Sequence, residues 1–326
     1  MDKILITFWI PDEVAEKYKD KVELIYPQEK VSGKFSMEET LALLPTVDGV
    51  LLGGEHFTPD VIDKGVKLRV IGRLGVGCDA VDYIYAGKKG IPVINTPNAV
   101  THPTAELTIS IMMSVARCIQ VLDKKMRVDK RCNAPFNYET RSTGLYGKTL
   151  GIIGFGRIGK AVGEKGKGLG MKIIYSDVIP APKEIEEKLG AVRVSTEELL
   201  KTADFVSVHC PYVPENHHLI NEKTLALMKP SAYLINASRG KMVDEAALVA
   251  ALKKGTIKGA ALDVYEFEPE VNPELIDLDN VVLVPHVGTW SYDARLAMAY
   301  ESLDGMVASL RGEDPVNVFN RQYLKK

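Results

Sequence analysis

Residues Thr149 to Gly159, TLGIIGFGRIG, restrict the possible folds more than any other stretch. Leu150 to Ile153 reads as a short buried strand, Gly154, Gly156 and Gly159 follow at G-x-G-x-x-G spacing, and Arg157 onward reads as a helix. Turning so sharply from strand to helix requires Gly154 for its backbone angles, Gly156 so that a pyrophosphate can approach the main chain, and Gly159 so that helix and strand pack closely. The phosphates would then sit on the helix N-terminus. On its own the spacing is a weak signal, because Gly-rich turns after strands are common. A second apolar run, Met171 to Tyr175, strengthens it by leading to Asp177, placed to accept hydrogen bonds from an adenosine ribose 2′-OH. The competing reading of Asp177 is a solvated carboxylate at a strand end.

The chain has 326 residues, enough for two domains with separate cores. Its formal net charge of -2 provides no positive field for nucleic acid or anionic lipid, so small-molecule partners are expected. Cys78, Cys118, Cys132 and Cys210 form no C-x-x-C pair, which points to reduced thiols in a cytoplasmic protein rather than to a disulfide or metal framework. MDKILITFWIPDE at the N-terminus reads as a first strand without a signal-peptide pattern, and the apolar segment Leu107 to Val121 is interrupted by Arg117. Neither metal nor membrane is expected.

Up to residue 100, strand-like runs (Lys3 to Phe8, Glu23 to Tyr26, Gly49 to Leu52, Arg69 to Gly72, Pro92 to Asn95) alternate with helical patterns (Asp12 to Tyr18, Met37 to Leu44, Pro59 to Lys64). This alternation is that of an α/β fold with a parallel sheet. A second Gly-rich turn, RLGVGCDAVD, is either a plain strand-to-helix turn or a set of backbone amides aimed at an anion such as a substrate carboxylate. Thr101 to about Lys125 reads as one long helix, with Thr101 or Thr104 as cap and Glu106 in its first turn. Met126 to Gly147 shows no clean period and is expected to be functional or to lie against another subunit. Beyond the Gly-rich fingerprint, ADFVSVH, AYLIN, AALD and VVLVP read as strands, and Ser291 to Leu310 as a long helix. The ends of these strands carry His209-Cys210-Pro211, Asn236 to Gly240, Asp263 and His286, and in an open parallel sheet such ends face one crevice.

RLGVGCDAVD, GIIGFGRIG, NASRG, ALDVYEFEP and PHVG, in this order, resemble the D-isomer-specific 2-hydroxyacid dehydrogenase family over almost the whole chain. The resemblance implies two Rossmann-like, doubly wound parallel-sheet domains. One is a discontinuous, flavodoxin-like substrate domain, 1–100 and 291–326; the other is an inserted NAD-binding domain, 101–290. It implies that Arg239 holds the substrate carboxylate and carbonyl, that His286 is the acid/base and that Glu268 partners it. Val76 and Gly77 would offer amides to the carboxylate. Arg157, Ile158, Asp177, Cys210, Pro211, Asn216, Ala237 and Asp263 would contact the dinucleotide. Singly, His286 could be structural, Arg239 a surface cation and Glu268 part of a solvated acidic loop. Together they supply what hydride transfer to a 2-oxo acid needs: a cation, a proton donor and a carboxylate that keeps the donor charged.

The family's pattern also implies a homodimer, embraced through the 126–147 region. Three departures bear on the substrate. TWSYDAR follows PHVG, which puts Trp290 forward as a pocket residue, with Phe57 expected to line the same pocket; Gly53-Gly54-Glu55 offers no phosphate clamp; and Phe136 and Tyr138 stand where many members have a Trp. Val178, Ile179 and Pro180 offer no cation beside Asp177, which favours NAD over NADP. The alternative is an NAD(H)-sensing protein like the superfamily's C-terminal-binding corepressors; against it, the chain stops soon after its last helix, without a tail for docking.

Overall fold

The computed structural model describes residues 1–29, 33–132 and 142–324. The chain divides into two compact units, Met1–Val100 with Thr289–Lys326, and Thr101–Gly288.

In the first unit, β1 (Lys3–Ile6), β2 (Glu23–Ile25), β3 (Gly49–Leu52), β4 (Val70–Arg73) and β5 (Val93–Ile94) form a parallel sheet in the order β2-β1-β3-β4-β5. That is the flavodoxin-like order. Ile4, Leu5, Ile6, Val50, Leu51 and Leu52 are wholly buried, as expected for strands covered on both faces. The helix Tyr292–Leu310 starts at Ser291, whose Oγ accepts the Ala294 amide at 3.3 Å. Its Leu303 and Met306 share a core with Ile4, Leu51 and Val70. Gly72 on β4 makes room for it, since a Cβ there would lie 2.3 Å from the Met306 sulfur.

The second unit holds β6 (Thr149–Ile153), β7 (Lys172–Ser176), β8 (Ala191–Arg193), β9 (Phe205–Val208), β10 (Tyr233–Asn236), β11 (Gly259–Leu262) and β12 (Val281–Leu283). All are parallel, in the order β12-β11-β10-β9-β6-β7-β8. The order reverses at β6, leaving the switch-point crevice beyond the ends of β6 and β9. Both units are thus Rossmann-like, doubly wound α/β folds.

One expected helix is corrected. Thr101–Arg117 and Ile119–Asp129 are separate helices, bent by 62° at Cys118. Cys118 adopts left-handed angles (φ +55), which ends the first hydrogen-bond ladder, and its carbonyl accepts the Leu122 amide to open the second. Thr101 and Thr104 lie inside the first helix, and no acid stands in its first turn. That helix buries Ala105, Ile111, Met112 and Val115, whereas the second buries no side chain. Met126 to Asp129 is therefore helical rather than aperiodic, while Phe136 and Tyr138 lie outside the described residues. No single helix among the described residues is long and apolar enough to cross a membrane.

Candidate active site

Asn236 ends β10, and its side chain shapes the next turn: its amide nitrogen donates to the Arg239 carbonyl at 2.9 Å, and its oxygen accepts the Ser238 amide at 3.1 Å and hydroxyl at 2.9 Å. The Arg239 guanidinium donates to the Ser238 carbonyl at 2.8 Å. Gly240 follows against another main chain, because a Cβ there would stand 1.8 Å from the Tyr265 carbonyl oxygen and 2.5 Å from the Glu266 nitrogen. Only glycine lets the turn carrying Arg239 sit on the Tyr265-to-Glu268 segment.

That segment presents Glu268 to His286. Glu268 Oε1 accepts the Tyr265 amide and its Oε2 lies 2.9 Å from His286 Nδ1. The hydrogen bond to Glu268 raises the His286 pKa above its ordinary value, against burial, with the Glu268 and Asp263 charges adding and Arg239 opposing. Burial would raise Glu268, but the His286 bond, the Tyr265 amide and the His286 and Arg239 charges leave it lowered. The pair favours imidazolium facing carboxylate, beside a guanidinium.

Asp263, 1% exposed at the end of β11, builds the turn around His286. Its carbonyl accepts the His286 amide at 2.8 Å, and its two carboxylate oxygens accept the Val287 and Gly288 amides at 2.6 and 2.9 Å. His286 is held at φ +52. Burial lifts the Asp263 carboxyl to about 6, against those amides and the His286 charge. Its sequence gave no sign of this role in shaping the His286 turn.

At the end of β9, the His209 imidazole faces Ser207 Oγ at 2.7 Å, and burial pushes it down to about 4; it is a neutral imidazole. Burial likewise raises the Cys210 thiol to about 11. Asn216 folds onto its own loop, donating to the Pro211 carbonyl at 2.7 Å and accepting the Val213 amide at 2.8 Å. Ala237 is buried.

In the fingerprint, Gly154 has φ +88 and packs on Cys210, where a Cβ would meet the backbone nitrogen at 2.3 Å. A Cβ on Gly156 would meet nothing within 4 Å, and one on Gly159 would lie 2.2 Å from the Gly154 carbonyl. Arg157 and Ile158 open the helix Arg157–Gly168. Asp177 accepts the Phe155 amide at 2.6 Å and the Ile179 amide at 3.0 Å, tying β7 to the Gly-rich turn. Val178, Ile179 and Pro180 bring no cation to Asp177, but a cation arrives from the neighbouring strand. Arg193, opposite Tyr175 on β8, donates to the Asp177 carbonyl at 2.8 Å, and both line a cavity of about 590 Å³ with Ser195 and Thr196. No local pattern could have found it, because the two residues meet only through strand pairing.

In the first unit, the Val76 carbonyl accepts the Asn95 side-chain amide at 2.9 Å, holding the turn after β4. No described acceptor engages the Val76 or Gly77 amides. After β3, Glu55 Oε2 accepts the Gly53 and Gly54 amides at 2.8 and 3.0 Å and the Thr7 hydroxyl at 2.9 Å. Phe57 is wholly buried in the core, which corrects its placement as a pocket residue, and Trp290 is 72% exposed. Among the described residues His217, His218 and Glu266 bring ligand-type atoms within 4.8 Å of one another, with His218 Nε2 already 2.6 Å from Glu266 Oε1.

The family model described as D-isomer specific 2-hydroxyacid dehydrogenase, NAD binding domain, matches residues 109–288. Glyoxylate reductase of Thermococcus litoralis is 45% identical over 278 residues, 84% of either chain. Glyoxylate reductase of Thermococcus onnurineus is 39% identical over 99% of this chain and 97% of its own. Among solved structures, a glyoxylate reductase from Paecilomyes thermophila superposes with a TM-score of 0.85 at 30% identity, covering 98% of this chain and 99% of its own.

Proposed function

The chain belongs to the D-isomer-specific 2-hydroxyacid dehydrogenase family and is an NAD-dependent oxidoreductase of small 2-hydroxy acids, and on that premise we propose that it reduces a short, unphosphorylated 2-oxo acid such as glyoxylate, using His286, Glu268 and Arg239. The observation that carries this reading is the 2.9 Å contact between His286 Nδ1 and Glu268 Oε2. With Nδ1 engaged, Nε2 is the atom left to give a proton to the carbonyl oxygen. Glu268 keeps the ring charged until that transfer. Arg239 binds the substrate carboxylate through charge-assisted hydrogen bonds and polarises the ketone. The Val76 and Gly77 amides are further donors to that carboxylate. Bound nicotinamide supplies the hydride, and the product is the D-hydroxy acid.

The fingerprint suits a dinucleotide: open space over Gly156, a twelve-residue helix starting at Arg157, and an acid at Asp177. We assign cofactor contacts to Gly154, Gly156, Arg157, Ile158, Gly159, Asp177, Cys210, Pro211, Asn216, Ala237 and Asp263, hence the NAD-binding role to 101–290 and the substrate role to 1–100 with 291–326. Asp177 favours NADH over NADPH by repelling a 2′-phosphate. Glu55 supports an unphosphorylated substrate, because its carboxylate occupies the Gly53 and Gly54 amides that an anion would use.

A homodimer is supported by the helix Ile119–Asp129, which exposes Ile119, Leu122 and Met126 along one side. A monomeric mass by light scattering at micromolar concentration would refute it. Four free cysteines favour a reducing, cytoplasmic setting. NADH oxidation with a panel of 2-oxo acids tests the whole reading: turnover on glyoxylate is expected, lowered about 10²- to 10⁴-fold by His286→Ala with NADH affinity kept. No turnover on any of them would favour the NAD-sensing alternative.

A further inference from the structure

The Tyr265-to-Glu268 segment is held by a second carboxyl group. Glu245 opens the helix Glu245–Lys254 and is 2% exposed. Its Oε1 accepts the Glu266 amide at 2.7 Å, and Glu266 Oε2 accepts the Glu245 amide in return at 3.3 Å. Glu266 Oε1 lies 2.6 Å from His218 Nε2, and His218 is anchored by its own amide on the Lys241 carbonyl and by Asn221 on its carbonyl. The segment is thus fixed at Tyr265 by the Gly240 main chain and at Glu266 by Glu245, just before Glu268.

We propose that Glu245 is a positioning residue for the acid/base pair, its carboxyl holding the Glu266 backbone so that Glu268, two residues on, keeps its carboxylate on His286. A buried carboxyl facing Glu266 and near Glu268 is a costly way to hold main-chain amides. Burial raises its pKa, and the Glu266 and Glu268 charges add to that, against the Glu266 and Asn272 amides. A helix opening alone needs no such group, since Asp244 already caps this helix by accepting the Ala247 amide. What Glu245 adds is a bond to the segment bearing Glu268.

The proposal rests on the His286–Glu268 reading and is tested with Glu245→Ala and Glu245→Gln in the intact enzyme. Glu245→Ala is expected to lower kcat for NADH-dependent glyoxylate reduction on the order of tenfold or more, because small displacements of catalytic groups are costly. It should also move the acid/base limb of the pH profile downward, as Glu268 loses its seat on His286, with the Kd for NADH unchanged. Glu245→Gln keeps an acceptor for the Glu266 amide and should retain most of both. Folded Glu245→Ala with wild-type kcat and pH limb would overturn the proposal, as would Gln falling as far as Ala. Should Glu245→Ala fail to fold, Glu245→Asp, one methylene shorter, takes its place under the same criteria. Near-native turnover in His286→Ala would instead overturn the acid/base reading itself, so the two failures are distinguishable.

Discussion

Replacing Gly240 by alanine tests the packing that brings Arg239 and Glu268 together. The added Cβ would stand 1.8 Å from the Tyr265 carbonyl oxygen, 1.9 Å from its carbon and 2.5 Å from the Glu266 nitrogen, all backbone atoms that no rotamer change can move. Ordinary contact begins at 3.4 Å, so the two segments must separate by about 1.6 Å. Overpacking on this scale costs about 1–3 kcal/mol of stability, enough to lower Tm by several degrees. Catalysis should suffer more. Tyr265 donates the amide that orients Glu268, and a displacement of about 1 Å in a positioned group can cost about 10²-fold in rate. The assay is kcat for NADH-dependent glyoxylate reduction alongside a calorimetric melt. Gly168→Ala is the control: it sits in a helix with nothing within 4 Å of the new carbon, and should melt no lower than wild type. Gly240→Ala with native kcat and native Tm would refute the argument.

Glu268→Gln should move the acid/base limb of the pH-rate profile downward, because the carboxylate now raising the His286 pKa is gone; a stationary limb would remove Glu268 from the mechanism. Asp177→Ala should narrow the preference for NADH, and with Arg193 already at that strand end, Arg193→Ala in the same background should restore discrimination against NADPH. Equal NADPH efficiency in wild type would defeat the first step. Glu55→Gln should cost about 1–3 kcal/mol near neutral pH in urea melts, since an ionised acceptor of two amides and a hydroxyl is lost. Burial raises the Glu55 carboxyl, but the Glu55, Gly54 and Gly53 amides and Thr7 leave it below its ordinary 4.5. Its contribution is therefore present above 4.5 and lost as pH falls through the folded value, so the deficit should shrink in acid; a deficit constant with pH would contradict this.

Sequence and structure agree most closely where local chemistry decides. The helix Asp12–Tyr18 follows Pro11 and begins with two acids, and Tyr292–Leu310 follows a serine cap; each lies where the residues placed it. Apart from β8, not picked out from the sequence, the strands of both sheets were legible as apolar runs because parallel sheets are covered on both faces. Cys118 was not legible, since an apolar pattern continues through the bend and no glycine or proline marks it. Phe57 could equally have been a pocket or a core residue, and only packing distinguished them. At the site, His286 and Glu268 stand in motifs the chain displays openly, whereas Arg193, Asp263 and Glu245 act through neighbours brought in by strand pairing or chain reversal.

The helix Ile119–Asp129 is eleven residues long and buries none of them among the described residues. A segment of that length is marginal by itself in water, because nucleation is costly, and among the described residues its ties to the rest of the unit are slight, such as Gln120 donating to the Asp279 carbonyl at 3.3 Å. In the proposed homodimer, the surface covering Ile119, Leu122 and Met126 would complete the folding of this segment as well as bind it. Assembly and local folding would then be one event whose midpoint depends on protein concentration. On dilution, amide hydrogens in this helix should be the first in the second unit to exchange with solvent, ahead of those in β6 and its neighbours.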